Sequence, residues 1–317
     1  MHDQRRLSCA IIVPSYRRSS ELARCLGALR EQQTLPNQVV VVVRAEDIAA
    51  RGVVSRVGSA LAITEVLSDR PGQIAALNAG LDAVMCDVTA ITDDDAVPHS
   101  DWVERLLERF ADSRVTAVGG RDVVVGATDG RHPLVGVVGW YGRTTGNHHR
   151  GTGPVRPVDV LKGANMAFRT VWLRRVGFDE RLRGSGAQVH NDLAVCLQIR
   201  RAGGLLIYDP EILVDHYPAR RPAGDDRMHA TFVAIADEVH NETLALMEFL
   251  PAWRRSLWLL WALLWGTRRS PGLGMSVVLL PSSRSSVLRR LMACWRGRAA
   301  GIRTWLTARA RTRRLSR

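Results

Sequence analysis

Val88-Thr89-Ala90-Ile91-Thr92-Asp93-Asp94-Asp95 sets three acidic residues where an apolar, β-branched run stops. The following stretch, Ala96-Val97-Pro98-His99-Ser100-Asp101-Trp102, reads as a turn opening a helix. Carboxylates at the carboxyl end of a buried strand sit where open α/β sheets place their ligands. Two carboxylates one residue apart on extended backbone can share one hard divalent ion, which takes oxygen donors and keeps phosphate oxygens in its shell. Acidic triplets in turns are more often merely solvated, so the neighbouring sequence has to decide.

Upstream, Cys9 to Val13 is an apolar run ended by Pro14-Ser15-Tyr16, and Val39 to Val43 is a continuous valine run, the pattern of a parallel strand buried on both faces. Leu22, Cys25, Leu26 and Leu29 recur at helical spacing, as do Ile74, Leu77, Leu81 and Val84. With a further strand at Ile63 to Leu67, the first hundred residues alternate strand and helix, which predicts βαβ units and a mostly parallel sheet. Downstream the sequence predicts a helix to Phe110, a strand over Val115 to Gly119, and a long Gly-, Arg- and His-rich loop with brief strands from Gly126 to Pro157. After the loop come a strand-like Val158 to Arg169, a short helix from Thr170 to Val176, and a helix over Leu193 to Ala202. Two short strands follow, Leu205 to Tyr208 and Ile212 to Val214.

The chain has 317 residues and is 46% hydrophobic, enough for one large domain and an appendage. Five dispersed cysteines without a CxxC pair speak against a disulfide scaffold or zinc site and fit a reducing compartment. No apolar leader precedes the first strand, so no secretory signal is expected. The net charge of +13 is unevenly placed: 15 arginines and no acidic residue lie between Trp253 and Arg317. That leaves 29 of the 44 basic groups against all 31 acidic ones in residues 1–252, a near-neutral body and a cationic tail. Lys162 is the single lysine.

Five segments in order carry a family resemblance: Ile11-Ile12-Val13-Pro14-Ser15-Tyr16-Arg17-Arg18, Asp69-Arg70-Pro71-Gly72-Gln73 through Asn78 to Gly80, Asp93-Asp94-Asp95, Gly163-Ala164-Asn165-Met166-Ala167-Phe168-Arg169, and Gly184-Ser185-Gly186 followed by Asn191-Asp192. Over roughly residues 8–220 the chain resembles the family 2 glycosyltransferases, which have the GT-A fold. The resemblance implies a Rossmann-like, mostly parallel sheet flanked by helices, followed here by a helical, cationic, amphipathic tail. It divides the chain at residues 1–250 (catalytic domain) and 251–317 (tail).

By the same resemblance, Pro14, Ser15, Tyr16 and Arg18 form the nucleotide-binding turn, and Asn78, Gly163 and Asn165 lie beside the donor. Asp93, Asp94 and Asp95 fill the DxD position. Asp95, with Asp93 assisting, is expected to hold a divalent metal, Mn2+ or Mg2+, and His216 to complete its shell, although a lone histidine is more often structural. Asp94 points away from its neighbours on extended backbone and is expected to be scaffolding as well as near the donor. Arg70 offers a bidentate donor to a diphosphate, or else a surface salt bridge. Asp192 is the expected catalytic base, taking the acceptor hydroxyl proton; the alternative is a plain helix cap. Three departures stand out. Asn191 replaces the usual Glu before that Asp. Val43 leads to Arg44-Ala45-Glu46-Asp47 rather than to a base-contacting aspartate, leaving Asp47 or Glu46 to serve. The Gln-x-x-Arg-Trp signature of processive synthases is absent. His148-His149 could line the acceptor site, but adjacent histidines in a Gly-rich loop are usually solvated.

The expected activity is therefore inverting transfer of one sugar from a nucleotide-diphosphate sugar to a hydroxyl on a glycan or lipid-linked acceptor. A polyprenyl-phosphate sugar transferase and a non-catalytic sugar-nucleotide- or glycan-binding domain are the alternatives. In the tail lie six of the nine tryptophans. The apolar run Leu257 to Trp265 falls short of the roughly 20 residues that cross a bilayer and can pack on the core or enter an interface. Val287 to Ala310 can form a helix with Leu288, Leu291, Met292, Trp295, Ile302, Trp305 and Leu306 on one side and Arg289, Arg290, Arg296, Arg298 and Arg303 on its flank. Such a helix suits an anionic membrane surface. The expected location is cytoplasmic, peripheral at the inner face of the cell membrane. The charge would also fit nucleic acid, but the body carries no nucleic-acid motif.

Overall fold

The computed structural model describes residues 6–57, 60–126, 130–184, 186–218, 231–281 and 284–315, the side chains of 311–315 excepted. In chain order the elements are β1 (Cys9–Pro14), α1 (Ser19–Arg30), β2 (Gln38–Val43), α2 (Ile48–Val57), β3 (Ile63–Leu67), α3 (Gln73–Ala83), β4 (Val88–Ile91), β5 (Ala96–Pro98), α4 (Trp102–Phe110), β6 (Val115–Val124) and the short β7 (Val137–Val138) and β8 (Thr144–Thr145). After a 3-10 turn at His148–Arg150 come β9 (Arg156–Val158), β10 (Met166–Arg169), α5 (Thr170–Val176), α6 (Asn191–Arg201), β11 (Leu205–His216), α7 (Phe232–Phe249), α8 (Ala252–Leu264), α9 (Leu273–Leu279) and α10 (Arg284–Leu315).

Two compact units emerge. The first comprises residues 1–137, 145–178 and 198–219; the second comprises 138–144, 179–197 and 220–317. The second unit thus takes in α7 and the loop before α6, both of which the sequence reading assigns to the first 250 residues.

The first unit is built on a nine-stranded sheet in the order β3-β2-β1-β4-β10-β6-β11-β5, with β9 on β11. β3, β2, β1 and β4 are parallel, β10 runs antiparallel between β4 and β6, and β6 pairs with β11 in parallel. Val39 to Val43 are at most 1% exposed, buried on both faces as the unbroken valine run dictates. Burying each such side chain contributes about 1.5–3 kcal/mol. Helix α1 packs on this layer through Leu22, Cys25, Leu26 and Leu29. From β1 the chain goes one way to β2 and β3 and the other way to β4. The carboxyl ends of β1 and β4 therefore flank the point where the winding reverses, where such sheets place their ligands.

Three expectations needed correction here. Val115 to Gly119 is the first half of a ten-residue strand, and Leu205–Tyr208 and Ile212–Val214 are one strand that slips register between Asp209 and Leu213. The predicted strand over Val158 to Arg169 is instead two short strands joined by a turn, in which Ala164 adopts φ +81°.

The second unit is helical. α10 packs along α7 through Gly297 and Gly301. A Cβ on Gly297 would lie 2.4 Å from the Ala236 carbonyl oxygen, and one on Gly301 would lie 2.8 Å from that of His240. The two helices approach as closely as glycine at i and i+4 allows. The expected single apolar side of α10 is thereby split. Leu291 is buried, while Leu288, Met292, Trp295 and Leu306 are exposed; Arg298, expected on the polar flank, is 3% exposed. In α8, Trp258 and Ala262 are buried, whereas Trp253, Leu257, Leu260, Leu263 and Leu264 face outward. No helix among the described residues is long and apolar enough to cross a membrane.

Candidate active site

Thr92, directly after β4, is buried and donates its hydroxyl to the Ala164 carbonyl at 3.0 Å. This anchors the acidic turn to the loop before β10, on the far side of the site from β1. Beyond it the three aspartates diverge. Asp94 turns down, 4% exposed, and accepts hydrogen bonds from the Ser15 hydroxyl at 2.8 Å and the Arg18 guanidinium at 3.0 Å. Burial, reinforced by the charges of Asp95 and Asp93 and opposed by Arg18 and Ser15, pushes its carboxyl up to about 7. Asp94 thus ties the β4 turn to the β1 turn, the scaffolding role expected of it. Its carboxylate accepts from the Ser15 hydroxyl and from Arg18 Nη1, the same nitrogen that reaches Asp95. Asp94 and Ser15 are both more than nine-tenths buried.

Asp93 and Asp95 converge with His216, at the end of β11. Ligand atoms of these three side chains lie within 4.8 Å of one another. The His216 Nε2 is 3.2 Å from Asp95 Oδ1, and Arg18 reaches Asp95 Oδ2 at 3.4 Å. Burial and then the Asp95 charge raise Asp93 above the ordinary carboxylate range. Burial tends to lower His216, but its contacts with Asp122 and Asp95 prevail and lift it to about 9. Two carboxylates and an imidazole on one corner, with their charges crowded, form a donor set that suits Mn2+ or Mg2+. The residues present fit a divalent ion.

Behind His216 stands Asp122 of β6, 1% exposed, whose Oδ2 bonds the Lys162 ammonium and lies 3.8 Å from His216 Nδ1. Burial works to raise Asp122, yet His216 and Lys162 outweigh it and hold the carboxyl below its ordinary value. Sequence reading did not single out Asp122. One aspartate in Val118-Gly119-Gly120-Arg121-Asp122-Val123-Val124 looks like the end of a strand, not its functional middle.

The remaining expected site residues divide. Pro14 ends β1, and Tyr16, 39% exposed, carries the Arg17 guanidinium 5.0 Å from its ring centroid. Arg70 is exposed, and Gly163 lies in the turn before β10. Asp47 is 6% exposed and accepts from the backbone N–H groups of Arg17 and Ala50, so its carboxylate holds the turn after β1 against α2 rather than standing open. Asn165, expected beside the donor, is bonded into the core. It is 1% exposed, accepts from the Trp102 indole N–H at 2.9 Å, and donates to the Ile212 and Arg121 carbonyls. Asn78 is likewise committed: its amide exchanges two 2.9 Å hydrogen bonds with the backbone of Phe178. His148 is structural too, bonded to the Val160 carbonyl and set edge-on to Tyr208.

In the second unit Asp192 opens α6, half-buried, its Oδ1 accepting the Leu193 N–H at 2.8 Å. The approach to it is strained: Gln188 and His190 have φ +35° and +73°. Buried Asn241 of α7 holds this loop by donating to the Arg183 and Val189 carbonyls and accepting from the Arg183 N–H. Asn241 was missed because a polar residue on a buried helix face leaves no periodic signal. Ser185 lies outside the described residues.

The sequence profile described as glycosyltransferase-like family 2 matches residues 6–231. A pre-mycofactocin glycosyltransferase of Mycobacterium tuberculosis is 31% identical over 147 residues, 46% of this chain and 30% of the relative. The glycosyltransferase AglE of Haloferax volcanii is 28% identical over 116 residues, 35% of this chain and 38% of that one. The chain thus spans about a third of the length of the relatives it matches. Among solved structures, the mannosyltransferase PcManGT of Pyrobaculum calidifontis, in complex with GDP-Man and Mn2+, superposes with a TM-score of 0.59 at 18% identity, covering 94% of this chain and 88% of that one. The S. aureus TarS fragment 1-349, in complex with UDP-GlcNAc, gives 0.54 at 14% identity, covering 94% and 92%. These likenesses establish the fold as GT-A-like.

Proposed function

The chain belongs to glycosyltransferase-like family 2, and on that premise we propose that it moves a single sugar from a nucleotide-diphosphate sugar to a hydroxyl acceptor with inversion. The observation that carries the reading is the convergence of Asp93, Asp95 and His216 at the carboxyl end of β4, beside the β1 turn. A divalent ion held by these three supplies positive charge to the diphosphate leaving group. Arg18, already within 3.4 Å of Asp95, adds a fixed cation to the same corner. The Pro14–Tyr16 turn, with Tyr16 open to solvent, is the surface offered to the nucleotide, and Arg70 is a candidate for the diphosphate.

Asp192 is the proposed general base. Its Oδ1 is used by the Leu193 N–H, and Oδ2 is the atom assigned to take the acceptor hydroxyl proton. General-base help of this kind contributes about 10²–10⁴-fold. Transfer of one sugar, rather than polymerisation, is supported by the missing Gln-x-x-Arg-Trp signature. The acceptor is proposed to be a lipid-linked or cell-envelope glycan, because the second unit carries an exposed apolar and arginine-rich surface. Outward residues of α8 and α10 stand among arginines with no acidic residue after Trp253, the composition of a segment that lies on anionic lipid. The protein is accordingly placed at the inner face of the cell membrane, peripherally.

The test is donor consumption by Asp192→Asn and, separately, Asp95→Ala. Both are expected to abolish transfer while the melting curve stays cooperative, and retained turnover in both overturns the assignment. Flotation with vesicles containing anionic lipid tests the surface. Equal flotation of Leu260→Glu/Leu264→Glu and the parent overturns the membrane reading.

A further inference from the structure

The corner that holds Asp93, Asp95 and His216 has a buried back wall that the reaction as proposed does not use. His216 Nδ1 and Asp122 Oδ1 are both buried without a hydrogen-bond partner, although buried polar atoms of this kind are nearly always paired. Asp122 Oδ2 faces that same Nδ1 at 3.8 Å, while Nε2, on the other edge of the ring, faces Asp95 at 3.2 Å. The imidazole is therefore strung between two carboxylates, one toward the open corner and one behind it. Lys162, the only lysine of the chain, bonds the rear carboxylate from the turn before β10. A long, flexible ammonium brought to a 1% exposed aspartate in a chain that otherwise uses arginine marks a point charge aimed at one oxygen.

We propose that Asp122, held by Lys162, is a positioning residue for His216, accepting the Nδ1–H so that Nε2 is presented to the divalent ion together with Asp93 and Asp95. The inference rests on the metal reading above. It has a simple chemical basis. An imidazole that ligates through Nε2 must keep its proton on Nδ1, and that buried N–H needs an acceptor. The carboxylate behind it then fixes both tautomer and ring orientation and makes the ligating nitrogen more basic. His216 Nδ1 is a donor without a partner and Asp122 offers the carboxylate next to it, Oδ2 at 3.8 Å and Oδ1 unused.

The experiment is binding of Mn2+ alone to the full chain, read from the free-ion electron paramagnetic resonance signal. It compares the parent with Asp122→Asn, Lys162→Met, Lys162→Arg and Asp95→Ala, each checked for a cooperative melt. Asp122→Asn is expected to raise the Mn2+ Kd about 10–100-fold and to weaken the nitrogen coupling of bound Mn2+ in the pulsed spectrum, which a merely structural role would leave unmoved. Lys162→Met is expected to shift Kd in the same direction, and Lys162→Arg to restore it. A folded Asp122→Asn that binds within about twofold of the parent with its nitrogen coupling intact overturns the proposal. If that variant does not fold, an unchanged Kd in Lys162→Met overturns it instead. A parent that takes up no Mn2+, or uptake that Asp95→Ala leaves unchanged, overturns the metal centre itself, and this inference with it.

Discussion

Asp94 and Asp95 are adjacent in the chain and share one Arg18 nitrogen, at 3.0 and 3.4 Å, yet Asp94 also bonds the Ser15 hydroxyl whereas Asp95 reaches His216 Nε2 at 3.2 Å. The chain turns here, the Ala96 N–H bonding back to the Asp93 carbonyl at 3.2 Å, and this turn divides the acidic triplet into a buried middle and two outer carboxylates beside His216. Asp94→Asn should keep the fold and transfer sugar within about tenfold of the parent, because an amide can still accept from Ser15 and the carboxyl already resists ionisation up to about 7. Asp95→Asn should cost at least about 100-fold in kcat/KM, since several kcal/mol of charge stabilisation passes through it. Steady-state kinetics on the two variants separate the roles, and equal losses would contradict the division.

The metal-free protein should lose stability as the pH rises. His216 is lifted from 6.5 to about 9, so its contribution is fully present below pH 6.5 and disappears as the pH climbs through 9. Asp94, raised from 3.8 to about 7, binds its proton more tightly folded than unfolded, so ionising it between those values also weakens the fold. The Tm measured in chelator should therefore fall from pH 5 to 9. His216→Asn should flatten the upper part of that slope. A Tm that is level or rising across pH 7–9 contradicts the assignment.

Asn165→Ala should be strongly destabilising. Removing its amide leaves the Trp102 indole N–H and the Ile212 and Arg121 carbonyls without that partner in a buried setting, at about 1–3 kcal/mol for each group stranded. Urea denaturation should show a loss of roughly 3 kcal/mol or more, and a loss under about 1 kcal/mol would return Asn165 to the list of donor contacts.

Gly301→Val should loosen the α7–α10 pair, because its Cβ would stand 2.8 Å from both the His240 carbonyl and the Thr243 Cβ. Overpacking of this kind costs about 1–3 kcal/mol. The expected signature is early amide exchange in α7 and α10 with the first unit still protected. Unchanged exchange would mean the helices can part without cost.

What could be read from the sequence follows from burial. β1, β2 and β4 are apolar at nearly every position, and α1 and α3 show a clean stripe, so their pattern betrays them. β6 and β11 are longer than they read because Arg121, Asp122, Asp209 and Pro210 interrupt the apolar run while the backbone ladder continues past them. Helix α7 leaves no clear period, since His240, Asn241 and Thr243 are buried in place of apolar residues. At the site, Asp93, Asp95 and His216 were legible through their family positions. Asn78, Asp47 and Asn165 were legible as important but not as to role, because a buried amide or carboxylate that ties backbone looks in sequence just like one that binds a ligand. Asp122 carried no signal: only the fold brings β6 and β11 together behind the imidazole.

Calorimetry of a panel of nucleotide-diphosphate sugars, with and without Mn2+, on the parent and on Asp95→Ala, tests the central claim most directly. One donor should bind the parent in Mn2+ and fail to bind in chelator, and Asp95→Ala should lose that binding while remaining folded. Donor binding that is equally tight without metal, or that survives Asp95→Ala unchanged, would contradict the metal-anchored transferase.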